Sequence, residues 1–329
     1  EFLPQILILF TFILALEETG YLPRAAFLLD RVMFASGLTG RSFIPLLSSY
    51  ACAIPGIMAT RSIQDPRDRL ATIMVAPLTT CSARLPVYTL LIGAFIPDQR
   101  VLGWFNMQGM VLFGLYLFGI VSVFGVAWVM KRFNRQQSDH ALLLELPSYR
   151  LPNPRDLLIG LWDRARIFLR RVGGIILALT VLLWFLSSFP APPEGYSGPA
   201  IDVSFAGRLG HFLAPLFAPI GFNWQIVLAL IPGMAAREVA VSGLATVYAL
   251  SSDESGISQL GGILANEWTL ATALSVLTWY VFAPQCISTI ATIKRETNSW
   301  KLTGIAVFYL FGLAYLFSLL VYQSAVALS

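Results

Sequence analysis

Two stretches of this sequence, YACAIPGIMATR (Tyr50–Arg61) and APQCISTIATIKR (Ala283–Arg295), decide the fold, because each places a cysteine close to a proline inside an apolar segment. In both stretches an arginine stands nine residues after the cysteine. Every backbone N–H and C=O inside a bilayer needs a partner, so a broken helix survives there only where protein buries it or a cavity adjoins it. Repeated helix breaks in two halves of a chain are typical of a transporter's central site.

The composition places the chain among membrane proteins. Hydrophobic residues make up 57% and charged residues 12% of the 329 residues, and the mean hydropathy is +0.71. A soluble globular domain carries about 25% charged residues. The formal net charge is +4, but the basic residues cluster between apolar segments and at their ends. This distribution follows the positive-inside rule, so it indicates a polytopic membrane protein and argues against nucleic-acid binding.

Most of the apolar segments approach or exceed the ~20 residues that a spanning helix needs. They lie at 2–16, 43–60, 70–96, 101–130, 167–189, 209–250 (long enough for two passes), 269–293 and 302–322. Between Lys131 and Arg171 stand nine basic and four acidic residues, which predicts that this connection is cytoplasmic. The connections at 61–69 and 294–301 are predicted on the same side, and those at 190–204 and 251–267 on the other.

Each of the three cysteines lies near a proline within an apolar segment. Pro55 follows Cys52 by three residues, Cys81 stands between two prolines, and Pro284 precedes Cys286 by two. Proline removes an N–H and pushes away the carbonyl four residues earlier, so oxygen ligands are freed near the thiol. A lone cysteine in an apolar helix is most often an inert small hydrophobe. Three such coincidences favour a functional role, most strongly for Cys52 and Cys286.

The kind of ligand follows from the donor atoms. The odd number of cysteines and their apolar surroundings argue against disulfides. Thiolate together with carbonyl and hydroxyl oxygens suits Fe²⁺ or Zn²⁺ better than Ca²⁺ or Mg²⁺. Three cysteines and two histidines do not supply a closed tetrahedral zinc site, because His140 and His211 lie away from the breaks. A transient transport site is therefore the better interpretation.

Charged residues inside or beside apolar segments are weaker candidates. Arg237 and Glu238 follow the Pro232 break, and Glu17 ends the first apolar segment. Such charges almost always face a cavity or a partner. Both ion binding and structural ion pairing remain open for them, and Arg61 and Arg295 are interpreted as cytoplasmic anchors.

Five runs of residues resemble the membrane domain of FeoB-type ferrous iron transporters over nearly the whole chain. They are EETGYLPRAAFLLDR (17–31), GLTGRSFIPLLSSYACAIPGIMATR (37–61), QDPRDRL (64–70), APLTTCSARLPVY (76–88) and APQCISTIATIKRETNSW (283–300). The resemblance implies an all-α polytopic protein of the bacterial inner membrane, with two inverted gate repeats and discontinuous helices. It divides the chain into a first half (1–130), a basic cytoplasmic connection (131–166) and a second half (167–329).

The same resemblance implies a transported ion and the residues that meet it. The ion is Fe²⁺, and the positions matching the family's proposed metal pathway are Cys52, Cys81 and Cys286, with Glu17 and Glu238 as weaker candidates. Many relatives have Asn or Ser directly after the first cysteine, where this chain has Ala53. We expect Ser48, Ser49 and the carbonyls freed by Pro55 to substitute for the missing oxygen.

The family normally begins with a cytoplasmic GTP-binding domain, but this sequence contains no G-x-x-x-x-G-K-[ST] phosphate loop. The sequence begins at Glu1 and resembles a fragment that lacks an upstream domain. We therefore assign neither GTP binding nor enzymatic activity to these residues, and no resident cofactor. A separate GTP-binding domain and small cytoplasmic accessory proteins are expected partners, and a homo-oligomer is compatible with the sequence.

Two other functions remain open at this point. Gate repeats also resemble those of nucleoside transporters, whose pockets hold base and ribose through polar and aromatic residues such as Gln225 and Glu238 here. A membrane anchor for a signalling GTPase is the second. Substrate-dependent flux of ferrous ion, of nucleoside or of neither distinguishes the three.

Overall fold

The computed structural model describes residues 2–101, 105–133, 149, 151–190, 203–235, 239–248, 254–284 and 286–328. In these ranges the chain is helical apart from short connections and one antiparallel pair of two-residue strands, β1 (Arg100–Val101) and β2 (Phe105–Asn106). The α-helices are α1 (Phe2–Glu18), α2 (Tyr21–Ala35), α3 (Phe43–Ala51), α4 (Ala53–Ala59), α5 (Pro66–Val75), α6 (Leu85–Phe95), α7 (Met107–Phe133), α8 (Pro154–Ser188), α9 (Phe205–Phe217), α10 (Trp224–Ala235), α11 (Val239–Val247), α12 (Glu254–Glu267), α13 (Leu270–Phe282), α14 (Ile287–Thr297) and α15 (Trp300–Leu328).

Local sequence explains where several helices begin. Asp65 caps α5 by accepting a hydrogen bond from the Arg67 amide at 2.8 Å, and Pro66 occupies the first helical position. Thr269 caps α13 and Ser204 caps α9 through their hydroxyls. A side-chain oxygen at this position satisfies one of the N–H groups that a helix start leaves without an intrahelical partner.

Among the described residues, four stretches are long and apolar enough to cross a membrane, and a fifth is added if a bent pair counts as one span. The stretches at Met107–Arg132 and Trp300–Leu328 are continuous helices whose apolar windows are only 17% and 22% buried, as lipid contact requires. Those at Pro66–Phe95 and Leu270–Thr297 are interrupted, and 67% and 76% of their windows are buried. The interrupted spans are thus the ones covered by protein, as expected for broken helices at membrane depth. The chain is an all-α polytopic membrane protein.

The chain divides into two compact units. The first comprises Glu1–Ser82, Gly119–Gly174 and Ser288–Ala306. Inside it the hydroxyls of Ser42 and Thr72, both fully buried, are 2.8 Å apart.

Gly40 allows a close approach within the first unit. The Asp30 carboxylate accepts a hydrogen bond from the Gly40 amide at 2.8 Å. A Cβ at residue 40 would lie 2.6 Å from the carboxylate oxygen and 2.8 Å from the Ala26 carbonyl, so only glycine fits.

The second unit comprises Ala83–Phe118, Ile175–Ile287 and Val307–Ser329. Its bent pair, Phe205–Ile220 and Trp224–Met234, turns by 104°. Gly221 lies at the turn with φ +79°, and a Cβ there would overlap the Tyr322 ring. Ser275 donates a hydrogen bond of 2.8 Å to the Ile220 carbonyl, so a side chain from α13 satisfies backbone that the bend frees.

The structure confirms the predicted break within the apolar segment 43–60, which is split at Cys52 into α3 and α4. Another prediction changes in detail. Helix α8 begins at Pro154, so the predicted connection 131–166 contains the first turns of a helix. The division into two halves and their inverted relation stay predictions, since each compact unit draws on both ends of the chain.

Candidate functional site

The break at Cys52 reverses the direction of the chain. Cys52 is extended, with φ −157° and ψ 132°, and it ends α3 and begins α4. In a straight helix, residues 45 and 56 would be separated by about 16 Å along the axis. Here a Cβ built on Gly56 would lie 2.7 Å from the Pro45 carbonyl, so α4 folds back onto α3. Cys52, half-buried, lies at the tip of this helical hairpin.

A hydrogen bond joins this tip to the break at Cys81. Pro55 has no N–H to offer to the Ala51 carbonyl, its normal helical acceptor. Ser82 donates its hydroxyl to that carbonyl at 3.1 Å instead. The structure therefore brings the backbone segments that carry Cys52 and Cys81 into direct contact, and both belong to the first unit.

Replacing Ser82 by alanine tests this connection. The Ala51 carbonyl would lose its donor, and a partly buried hydrogen bond of this kind is worth about 0.5–1.5 kcal/mol. We expect Ser82→Ala to lower the midpoint of thermal unfolding in detergent. Ser62→Ala is the matched control, because its exposed hydroxyl donates to Ala59 within one turn, and an equal loss in the control would contradict the assignment.

The segment around Cys81 is rich in buried polar atoms. Cys81 is buried and lies outside any helix, between the 3-10 turns Ala76–Leu78 and Ser82–Arg84. Thr79 donates its hydroxyl to the Ala76 carbonyl at 2.8 Å. Thr80 is only 1% exposed, and within the described part of the chain its hydroxyl has no hydrogen-bond partner. Burying a hydroxyl without a hydrogen-bond partner costs free energy, so a water molecule or an ion is expected beside it.

The third break separates α13 from α14 in the second unit. Helix α13 ends at Phe282, Ala283 is extended with ψ 150°, and half-buried Cys286 directly precedes α14. The last four carbonyls of a helix have no intrahelical partner. Arg84, fully buried, donates to one of them, the Val281 carbonyl, at 2.9 Å. Arg84 thus supports the helix end that leads into the Cys286 break.

The remaining predicted residues differ in their surroundings. Ser49 is fully buried and donates its hydroxyl to the Pro45 carbonyl at 2.8 Å, so only its lone pairs remain for a ligand. Ser48 is buried, and its carbonyl accepts from the Cys52 amide at 3.2 Å. Glu17 is exposed in the last turn of α1. Glu238 lies outside the described residues.

All three cysteines are described, none forms a disulfide, and each stands at an interruption between helices. Across the described ranges, no group of three or more His, Cys, Asp and Glu side chains is placed to hold a metal ion. An ion at one of these breaks would therefore complete its shell with hydroxyl, carbonyl or water oxygens.

Sequence reasoning missed an ion-pair cluster in the first unit. Arg61 donates two hydrogen bonds to Glu296, at 2.6 and 2.9 Å, and Arg69 donates a third at 2.9 Å. The Glu296 side chain is only 2% exposed. These hydrogen bonds raise the pKa of Arg61 above its ordinary value. The signal available in the sequence was an acidic residue isolated among Lys294, Arg295 and Lys301.

This cluster distinguishes the two arginines that the sequence repeat made equivalent. Arg61 reaches Glu296, whereas Arg295 is exposed. We expect Glu296→Gln to lower thermal stability, because charge-assisted hydrogen bonds contribute about 1.5–3 kcal/mol and two guanidinium groups would lose their carboxylate. Arg295→Gln should leave the unfolding midpoint nearly unchanged. The reverse order of the two effects in a detergent melting experiment would refute the role of the cluster.

The fold and these breaks define a class, a helical membrane protein with interrupted, protein-covered spans, and sequence comparison places it in a family. Residues 1–95 and 169–300 match the Gate family, described as "Nucleoside recognition", and residues 112–164 match the family "Ferrous iron transport protein B C terminus". The chain belongs to the Gate family and corresponds to the membrane domain of FeoB-type transporters.

Individual relatives agree with this assignment. The Fe(2+) transporter FeoB of Leptospira interrogans is 42% identical over 340 residues, which cover 98% of this chain and 48% of the relative. The Fe(2+) transporter FeoB of Staphylococcus aureus is 38% identical over 328 residues, covering 98% and 46%. The Fe(2+) transport protein A/Fe(2+) transporter FeoB fusion protein of Porphyromonas gingivalis is 36% identical over 363 residues, covering 98% and 42%. The chain spans about half the length of these relatives. No solved structure matches it.

Proposed function

We propose that this chain carries ferrous iron across the bacterial inner membrane into the cytoplasm, along a path that meets the thiols at its helix breaks. The observation that carries the proposal is the position of the three cysteines, each between helices in a chain whose interrupted spans are buried. The printed names of its relatives, Fe(2+) transporter FeoB, support the choice of ion.

Chemistry at the breaks suits a borderline divalent cation. An Fe²⁺ ion that sheds water needs replacement donors, and thiols beside hydroxyl and carbonyl oxygens supply a mixed set. In the first unit these are Cys52 and Cys81, with the buried hydroxyl of Thr80 and the lone pairs of Ser49 nearby in sequence. In the second unit the donor is Cys286. An incomplete protein ligand set with exchangeable water allows release, which transport requires and a closed site prevents.

Movement and coupling complete the proposal. Opening and closing would occur at the breaks, where Cys52, Pro55 and Pro284 interrupt the helices and leave fewer backbone hydrogen bonds to break. We propose that a cytoplasmic GTP-binding domain gates this movement, and that GTP binds only to that domain. Small cytoplasmic accessory proteins and assembly into a homo-oligomer belong to the same proposal.

The experiment is anaerobic uptake of radiolabelled Fe²⁺ into liposomes that contain this chain, compared with protein-free liposomes. We expect time-dependent accumulation that excess unlabelled Fe²⁺ competes away. A parallel arm with radiolabelled uridine tests the alternative that the Gate family's description raises. Uridine accumulation without iron accumulation would overturn the proposal, and accumulation of neither in well-folded protein would favour a membrane anchor.

A further inference from the structure

A cavity of about 100 Å³ lies inside the second unit, between α9, α10, α13 and α15. The residues that line it include four with aromatic rings, Phe217, Trp279, Tyr280 and Phe311, together with Met234. Each described residue of the lining is buried or half-buried. None of these described residues is charged, so this part of the wall is almost entirely apolar.

Aromatic rings in the wall hold one another in place. Trp279 packs edge-to-face against Phe217, with ring centroids 5.4 Å apart and an interplanar angle of 72°. It meets Phe222 in a similar way at 5.7 Å and lies 6.0 Å from the Phe311 ring. Trp279 is only 5% exposed. A ring held by three others cannot turn into the cavity without losing these contacts, so the cavity is preformed by the packing.

The lining determines which kind of molecule the cavity can hold. A buried water molecule needs two to four polar partners, and an apolar cavity without them stays dry. Apolar cavities of about 150 Å³ bind benzene or xenon. Aromatic walls add a preference, because edge-to-face and offset ring pairs are stabilised beyond the burial of their area. A thioether such as that of Met234 also makes favourable contacts with ring edges.

The same cavity adjoins two helix ends. Met234 belongs to the last turn of α10, and Ala283 and Pro284 form the break that follows α13. Cys286 stands two residues beyond Pro284. A molecule that fills the cavity contacts both helix ends at once, and these contacts are lost when the ends separate. An occupant therefore opposes movement at this break.

We propose that this cavity binds a small uncharged aromatic molecule with one six-membered ring, and that the bound ring holds the break at Pro284 in the described conformation. The volume sets the limit of one ring. The lining excludes an ion, which would lose its hydration there without gaining a partner. Because the stabilised break carries Cys286, the reactivity of this thiol reports on the occupied cavity. Neither point depends on which solute the chain transports.

Binding of fluorobenzene to the whole chain tests the first part. The protein in detergent is titrated with fluorobenzene and followed by fluorine NMR, with benzene as competitor. Partition into micelles does not saturate, whereas binding to a site does. The test variant is Leu230→Phe, in which a larger side chain takes up part of the cavity. The matched control, Leu320→Phe, makes the same change at a residue of α15 that is 55% exposed.

We expect saturable binding in the wild type and in Leu320→Phe. In Leu230→Phe the apparent affinity should fall by about tenfold or more, because the probe would overpack the site. Fluorocyclohexane, which has a similar size but no aromatic ring, should bind about fivefold more weakly than fluorobenzene. Absence of saturable binding in the wild type, or undiminished binding in folded Leu230→Phe, would overturn the proposal. Equal affinity for the two probes would overturn the aromatic class of ligand.

A second substitution at the same position covers the case in which Leu230→Phe does not fold, as judged by circular dichroism. Leu230→Ala enlarges the cavity and should give saturable binding of 1-fluoronaphthalene, which the wild type excludes for lack of space. Equal binding of this two-ring probe by both proteins would contradict the proposed limit of one ring.

Alkylation of Cys286 tests the second part. Fluorobenzene at ten times its Kd should slow the reaction of Cys286 with N-ethylmaleimide by about elevenfold in the wild type, if only the unoccupied form opens. Peptide mass spectrometry measures the rate for each thiol. Cys52, also half-buried but in the first unit, is the internal control and should react at an unchanged rate. An unchanged rate at Cys286, or equal slowing of both thiols, would overturn the proposed hold on the break.

Discussion

Replacing Cys52 and Cys286 together by serine is expected to abolish uptake of Fe²⁺ into liposomes. Serine keeps the size and hydrogen-bonding capacity of the side chain but removes the soft thiol, which favours borderline and soft metal ions. Loss of even an outer-shell partner costs about 10–100-fold at metal sites, so loss of a direct donor should cost at least that much. The measurement is the initial rate of anaerobic uptake over a range of Fe²⁺ concentrations.

The single variants show whether the thiols act on one path. If both meet the same ion in sequence, each single change should already remove most of the uptake, and the double variant should fall little further, because residues in one functional unit are not additive. Cys81→Ser is the third comparison and tests the buried thiol. Undiminished iron uptake in the folded double variant would rule out the thiol path while leaving the fold unaffected.

Gly56→Ala is expected to disrupt the helical hairpin at Cys52. The new Cβ would overlap the Ser49 hydroxyl and approach the Pro45 carbonyl to 2.7 Å, closer than real Cβ contacts allow. A hydroxyl can rotate, but the carbonyl belongs to the backbone of α3 and can yield only if α4 moves away. Overpacking of this kind costs about 1–3 kcal/mol and occasionally more. The unfolding midpoint in detergent should fall, and iron uptake should fall with it.

The control for this substitution is Gly125→Ala in α7, where, apart from the adjacent residues and the nearby backbone of α7 itself, no atom lies within 4 Å of the new Cβ. There alanine should be neutral or stabilise the helix by up to about 1 kcal/mol. Ser49→Gly added to Gly56→Ala removes one of the two obstacles and should restore part of the lost stability. Equal stability of Gly56→Ala and the wild type would mean that α4 does not pack on α3 as closely as described.

The sequence alone predicted the class of the protein and the location of its helix breaks. Charge content and hydropathy reflect the solvent that surrounds the chain, so they identify a membrane protein without knowledge of any contact. Pro55 and Pro284 interrupt helices through their own covalent structure, which is a local effect. For this reason the breaks at Cys52, Cys81 and Cys286 were placed correctly, whereas their ligand role stays a prediction.

Only the tertiary structure decided which side chains donate hydrogen bonds to the freed backbone carbonyls and which charged groups pair with one another. Ser82 donates to the Ala51 carbonyl, and Arg84 donates to the Val281 carbonyl. Glu296 joins Arg61 to Arg69. Each of these contacts connects segments that are far apart in sequence. The reversal of the chain at Cys52 is of the same kind, because a proline specifies that a helix stops but not where the next one goes. Local rules act through neighbours along the chain, and these contacts arise only after helices have packed.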